Sequence, residues 1–180
     1  MSRVTLQEIF QHPITQKYVG RSGMAHAVAV AYHAFKFAKL YGVHPDLACK
    51  AAFLHDIGHY TWYRNGHWDY ELYKQNDIHA IKGAERAHKL LIRLGEHPAA
   101  AKQISLAVLF HTDSFLPDNS IEREALQQVV ALADEADEEP GGGHHYKEIA
   151  PEEAESLLVE LDRMIEKSAG QYQLAVTAGS

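Results

Sequence analysis

The sequence is short of cysteine, of basic charge and of long apolar runs, and each shortage closes off a class of protein. Cys49 is the only cysteine in 180 residues. No internal disulfide can form, and the chain suits a reducing compartment such as the cytoplasm. Cys49 lies two residues before an apolar run and reads as a small core residue. No apolar run nears the length of a membrane span. The start, Met1-Ser2-Arg3-Val4-Thr5, lacks the apolar stretch of a secretory signal. Seventeen Lys and Arg against 24 Asp and Glu leave a net charge of -7. That balance argues against a general nucleic-acid binder, because phosphate backbones are held by basic surfaces. It still admits a small phosphorylated ligand, since a metal ion can supply positive charge locally. No internal repeat and no alternating strand pattern stand out.

Histidine is what the chain has in excess. There are 13, spread through the body rather than gathered in a tag. Such enrichment favours a metal site. The chain is organised around Ala51-Ala52-Phe53-Leu54-His55-Asp56-Ile57-Gly58-His59. The apolar residues predict burial, and burying an imidazole beside a carboxylate is costly unless something pairs them. A divalent metal accepts both at once. The plainer alternative is a buried helix with a hydrogen-bonded His. Gly58 reads as a helix stop and places His59 at the rim.

Apolar spacing predicts helices throughout. Residues 5 to 11 and 13 to 18 form short helices, and Gly20 to Gly23 is a break. From Met24 to Leu40, Val28, Ala31, Tyr32, Phe35 and Ala38 return at helical intervals. Pro45 opens a helix that runs to about Ile57. Residues 60 to 76 form a polar, aromatic-rich connection with Asn65-Gly66 as a turn signal, either a lid or a packed wall. Asp77 can cap a helix over 78 to 94, stopped by Gly95. Pro98 starts another, to His111, and Ser120 can cap a helix from Ile121 to about Asp137. Pro140 to His145 is a flexible break, and 151 to 167 is an amphipathic helix with Leu157, Leu158, Leu161 and Ile165 on one side. That helix either completes the core or offers a homodimer face. The fold class is all-α in one domain.

Metal-ligand types recur at helix ends. His26 opens one helix, His55 and Asp56 close the second, His79 opens another and His111 closes another. Asp134 follows the apolar run Val129-Val130-Ala131-Leu132-Ala133. A carboxylate there needs a partner, unless the helix simply turns polar toward Glu135, Asp137, Glu138 and Glu139. A His, then a His-Asp doublet, then an Asp, in this helical setting, resembles the HD-domain superfamily of metal-dependent phosphohydrolases. The resemblance covers about residues 20 to 140. It implies an HD-type helical bundle with N-terminal short helices over 1–22 and a metal-binding core over 23–140. Residues 141–180 then hold a Gly-rich loop, the amphipathic helix and a frayed tail.

The same resemblance implies a ligand set. His26, His55, Asp56 and Asp134 would hold one metal, and His79 and His111 a second, with Asp56 bridging. His79-Ala80-Ile81-Lys82-Gly83-Ala84 and Phe110-His111-Thr112 look like the HD-type hydrolases of symmetrical dinucleoside tetraphosphates, whose centre is di-iron. Two divalent ions are therefore expected, iron first, with Mn, Co, Ni or Zn suited to the same donors. A second branch, the HD di-iron oxygenases of organophosphonates or inositol, is similar in Leu54-His55-Asp56-x-Gly58-His59-Tyr60 and in Tyr18-Val19-Gly20. The phosphonate oxygenases carry a carboxylate near where Arg21 falls and a lysine where Phe115 stands. A non-catalytic metal-binding regulatory module is the third reading.

The leading expectation is hydrolysis of a phosphate ester or anhydride in a nucleotide or other small phosphorylated metabolite, by metal-activated water. Asp56 and His59 are the expected catalytic residues. His59 would bind the substrate phosphate or protonate the leaving oxygen, or else make a helix-end interaction. Lys82, Arg86 and Arg21 are candidate phosphate contacts or solvated surface. Trp62, Tyr63 and Trp68 either stack on a base or tie the loop to the core. His33, His44, His88 and His97 read as structural or surface, with His88, nine residues after His79, as the best spare ligand. His144 and His145 read as a solvated loop or a closing flap.

Overall fold

Proline and histidine together set where several helices begin. The computed structural model describes residues 3–60, 63–116, 118, 120–137 and 147–177. Its helices are α1 (Leu6–Gln11), α2 (Pro13–Ser22), α3 (Met24–Tyr41), α4 (Pro45–Leu54), α5 (Tyr70–Gln75), α6 (His79–Leu94), α7 (Pro98–Leu109), α8 (Ala125–Asp137) and α9 (Pro151–Thr177). Proline suits the first helical position because the N–H it lacks would be unpaired there. Before α2, α4 and α7 the residue preceding that proline is His12, His44 and His97. Each accepts a backbone N–H on its Nδ1 at 3.2 Å, from Ile14, Asp46 and Ala99 respectively. Three of the abundant histidines are thus helix caps, doing what Asn or Ser does elsewhere.

The all-α expectation holds, with one small addition. The connection after residue 60 contains a hairpin of β1 (Tyr63–Arg64) and β2 (His67–Trp68), then α5. Asn65 and Gly66 make its turn with φ of 52° and 78°, the left-handed pair that tight hairpins need. Other bounds shift for local reasons. The helix placed over 121 to 137 starts at Ala125, because Gln127 Oε1 accepts from the Glu124 N–H at 3.0 Å. Ser120 Oγ donates to Asp118 instead of capping. The last helix continues to Thr177, past the expected end at Lys167.

The core is built around α3 and α4. α3 packs on α4 and α8, α6 lies along α7, and α4 touches α7. Val28, Ala31, Phe53, Leu54, Ile57, Leu90, Leu91, Ile104 and Val108 are buried together. Ala154, Leu158, Leu161 and Ile165 of α9 join them, so the amphipathic face of the last helix completes the core. Among the described residues, no helix is long and apolar enough to cross a membrane.

A charged chain runs beneath this core. Lys50 is fully buried, and its Nζ sits 2.8 Å from Asp46 and 2.5 Å from Glu96. Asp46 also takes Arg3, whose other nitrogen reaches Asp162 at 3.3 Å. Asp162 accepts the Leu6 and Gln7 N–H groups. The network joins the N-terminus, α4, the start of the α6–α7 connection and α9.

Gly58 and Gly83 set how closely the turn after α4 approaches α6. A Cβ on Gly58 would stand 1.9 Å from the His79 carbonyl oxygen and 2.2 Å from the Gly83 nitrogen. Gly58 is therefore a close-approach glycine; it is not in the left-handed conformation of a helix stop, which Gly42 and Gly95 adopt. On Gly83 a Cβ would meet a Val108 methyl at 3.1 Å.

Two stability predictions follow from these contacts. Gly58→Ala must push two backbones apart and should cost about 3 kcal/mol or more, with Gly83→Ala milder. A thermal melt of Gly58→Ala matching wild type would contradict that contact. Lys50→Ala leaves Glu96 without its cation and Asp46 with Arg3 alone, and should cost roughly 3–5 kcal/mol in a urea titration. A loss below about 1 kcal/mol would mean that the network behaves like surface pairs.

Candidate metal centre

Four elements end at one point. The first turn of α3 brings His26, the turn after α4 brings His55 and Asp56, the first residue of α6 is His79, and the turn after α7 brings His111. Asp134 arrives from α8. His26 Nε2 lies 3.2 Å from His55 Nε2 and 3.0 Å from Asp134 Oδ1. His79 Nε2 lies 3.2 Å from His111 Nε2. All four imidazoles are buried. The six side chains expected to act together do meet in space.

The far side of each ring explains the arrangement. His55 Nδ1 donates to Ala52 O and His111 Nδ1 to Val108 O, both at 2.6 Å. A carbonyl can only accept, so these nitrogens carry the protons. In both cases the acceptor is the carbonyl three residues back, which a continuing helix would need for the next turn. The ring is thus oriented by a carbonyl in the last turn of the helix it follows, α4 ending at Leu54 and α7 at Leu109. His26 Nδ1 faces Asp137 Oδ2 at 2.8 Å, and His79 Nδ1 faces both oxygens of Asp77 at 2.8 Å. With all four protons directed outward, the four Nε2 lone pairs converge on one another. Between neutral rings with their protons outward, nitrogens facing each other at 3.2 Å have no hydrogen to share. A cation resolves that conflict, and outer hydrogen bonds of this kind accompany metal-bound histidines.

Asp56 stands between the two pairs. Its Oδ2 lies 3.1 Å from His55 Nε2, and its Oδ1 lies 3.6 Å from His111 Nε2 and 3.8 Å from His79 Nε2. Burial would raise the Asp56 pKa, but His55 and His59 hold it well below the usual range. Burial is likewise overcome at Asp134, held low by His55 and His26. At His55, burial lowers the pKa, yet Asp56 and Asp134 carry it well above the ordinary value. His79 is pushed down by burial, and Asp77 only partly offsets this. Asp77 itself resists burial through its bonds to His79 and is lowered to about 2. The centre is thus two ionised carboxylates among imidazoles, and the carboxylates draw His55 toward its protonated form.

His59 comes closer than a rim position. Its Nε2 is 3.1 Å from Asp56 Oδ1, and its ring stacks on His79 at 4.1 Å. Asp56, His59 and His79 each offer a donor atom close enough to share one ion, so His59 is a seventh possible donor. Tyr73 Oη sits 2.5 Å from His59 Nδ1 and holds the ring. Sequence spacing does not single out Tyr73, Asp77 or Asp137 as site residues. Asp77 reads in sequence as a helix cap; its side chain does accept the His79 N–H at 2.9 Å but also takes the ring. Asp137, three residues after Asp134, reads as the polar end of a helix, and that interval was its available signal.

Other candidates lie elsewhere. His88 is exposed on the opposite side of α6, because nine residues at about 3.6 per turn is a half-turn away. The spare-ligand expectation fails on that geometry. Lys82 lies over the Tyr60 ring at 4.5 Å, and Arg21 lies 5.4 Å from the Tyr18 centroid. Arg86 rests on Tyr18 at 3.6 Å and donates to Ile57 O. Lys82 and Arg86 share a surface groove that includes none of the six. Trp68 packs against Tyr73 at 5.2 Å. Trp62, His144 and His145 lie outside the described residues, as does the Tyr63 side chain.

The donor set, neutral imidazoles with ionised carboxylates, fits a divalent first-row ion. Comparison with known proteins agrees with that chemistry. Residues 23–139 match the family described as HD domain. A protein of Bacillus subtilis (strain 168) named "Putative phosphohydrolase YueE" is 61% identical over 168 residues, covering 93% of this chain and 96% of that protein. No solved structure matches the chain. With the His, His-Asp and Asp residues gathered in one buried centre, the chain belongs to the HD-domain family.

Proposed function

We propose that this protein is a metal-dependent phosphohydrolase acting on a small phosphorylated metabolite, nucleotides included. The observation that carries the reading is the set of four imidazoles whose protons are tied outward, leaving four Nε2 lone pairs around Asp56. The name of the Bacillus subtilis relative supports the same reaction class.

His26, His55, Asp134 and Asp56 Oδ2 would hold one divalent ion. His79, His111 and Asp56 Oδ1 would hold a second, with iron the first candidate at both. When bound, such ions supply positive charge and activate water for attack at phosphorus. The chain's own residues do the rest. Asp56 presents one oxygen to each half and keeps the halves in register. Asp77 and Asp137 fix the His79 and His26 rings. His59 is the least buried of these groups, with 22% of its side chain exposed. From there it can hydrogen-bond a substrate oxygen and pass a proton to the leaving group. Tyr73 keeps its ring in plane for that transfer.

Metal analysis by mass spectrometry, on protein purified without chelator, tests the centre. Wild type should carry two ions per chain and His79→Ala close to one. A single ion, unchanged by the substitution, would overturn the two-ion reading. Asp77→Asn leaves every proposed ligand in place and should weaken metal affinity about 10- to 100-fold through the loosened His79 ring.

Turnover tests the reaction class. Metal-loaded wild type should release phosphate from some member of a panel of nucleotides and small phosphate esters, and Asp56→Asn should lower that rate by about 100-fold or more. Oxygen consumption without phosphate release would replace hydrolysis with the oxygenase reading.

A further inference from the structure

Four of the seventeen Lys and Arg residues of this acidic chain fall on one face of α6. Lys82, Arg86, Lys89 and Arg93 follow at intervals of four, three and four residues, so they share a side of the helix. They line a groove of about 370 Å³ against α2. Its floor is apolar, made by Ile14, Tyr18 and Leu90. That volume lies in the range of small-molecule sites, which pair an apolar body with a few polar anchors.

The charges in this groove are not compensated from within. Glu85 is the one carboxylate of its lining, and Lys89 engages it at 2.6 Å. Among the described residues, Lys82, Arg86 and Arg93 form no ion pair with a carboxylate. Arg86 is half-buried. Its guanidinium is held flat on Tyr18, with one nitrogen on Ile57 O. Arg21 and Lys17 lie 5.4 and 5.1 Å from the same ring. Burial and the nearby Arg21 lower the Arg86 pKa, and Tyr18 and Glu85 offset this only in part. A fixed, partly desolvated guanidinium lacking a carboxylate is a receptor for an oxyanion.

We propose that the groove between α2 and α6 binds a small molecule bearing a phosphate group and an apolar or aromatic body, at a site separate from the metal centre. Arg86 takes the phosphate, with Lys82 and Arg93 beside it, and the body lies on Ile14 and Leu90. Because Arg86 also holds the Ile57 carbonyl, the ligand is linked through Arg86 to the turn that carries His55 and Asp56. The site acts as an effector site on that turn. It does not rest on the hydrolase reading, since no groove residue belongs to the proposed ligand set.

Phenylphosphonate is a suitable probe, because its carbon–phosphorus bond resists phosphate hydrolysis and it carries both an oxyanion and a flat apolar body. Isothermal titration into the full chain as purified should show saturable binding. Arg93→Glu, an exposed position, and Arg86→Gln should each weaken it about tenfold or more. Lys102→Glu makes the same charge change as Arg93→Glu at an exposed site on α7 and should leave affinity within about twofold. Asp134→Asn, in the metal centre, should also leave binding intact. The proposal falls if wild type does not bind, or if Lys102→Glu weakens binding as much as Arg93→Glu does. It also falls if Asp134→Asn abolishes binding while Arg93→Glu binds like wild type, which would put the probe at the metal centre. Failure of the hydrolase reading would appear in metal content and phosphate release, and not in this titration.

Discussion

Four buried imidazoles converge here with their outer nitrogens bonded away from one another. That arrangement organises this protein. Each ring must find an acceptor on its outer side, and the fold provides two backbone carbonyls and two carboxylates. The two carbonyls come from the last turns of α4 and α7, the elements that the rings follow. What is left inside is a cluster of lone pairs and ionised carboxylates, which only a cation neutralises without breaking the outer bonds.

The scaffold around the centre is arranged to keep it that tight. Gly58 and Gly83 let the turn carrying the doublet lie against the start of α6 with no side chain between them. That contact brings the His55 side of the centre to the His79 side, with Asp56 in the middle. On the other side of the core, Lys50 and Arg3 tie Asp46, Glu96 and Asp162 into one charged network. Buried ion pairs of this kind add little net stability over an apolar core. They do join α9 and the N-terminus to α4, so the helix that ends in the doublet has a fixed seat. Arg86 completes the support by holding the Ile57 carbonyl from outside.

The histidine excess has more than one cause. Four rings converge, a fifth joins them beside Tyr73, and three cap helices ahead of a proline. Composition alone cannot separate these uses, because a capping Nδ1 and a converging Nε2 belong to the same residue type. The His-Pro dipeptide does separate them: a ring before a proline lies beside the unpaired amide two residues on. His12, His44 and His97 were distinguishable on that ground.

Much of the site was legible in sequence. The helical spacing, the helix-opening prolines, the Asn65-Gly66 turn and the buried His55-Asp56 doublet are local patterns, and local patterns are set by steric and hydrogen-bonding preferences that a few neighbouring residues define. They determined an all-α chain and, through resemblance, a family whose ligands fall in a known order. Tertiary structure alone decided the rest. That Gly58 meets Gly83, that Asp77 and Asp137 hold rings, and that His59 reaches Asp56 while His88 faces away depend on contacts between segments or on the rotation of a helix about its axis. Lys50 is the sharpest case. A lysine four residues after an aspartate reads as a surface pair, and only the second carboxylate, Glu96 from the α6–α7 connection, together with Asp46 makes its burial tolerable.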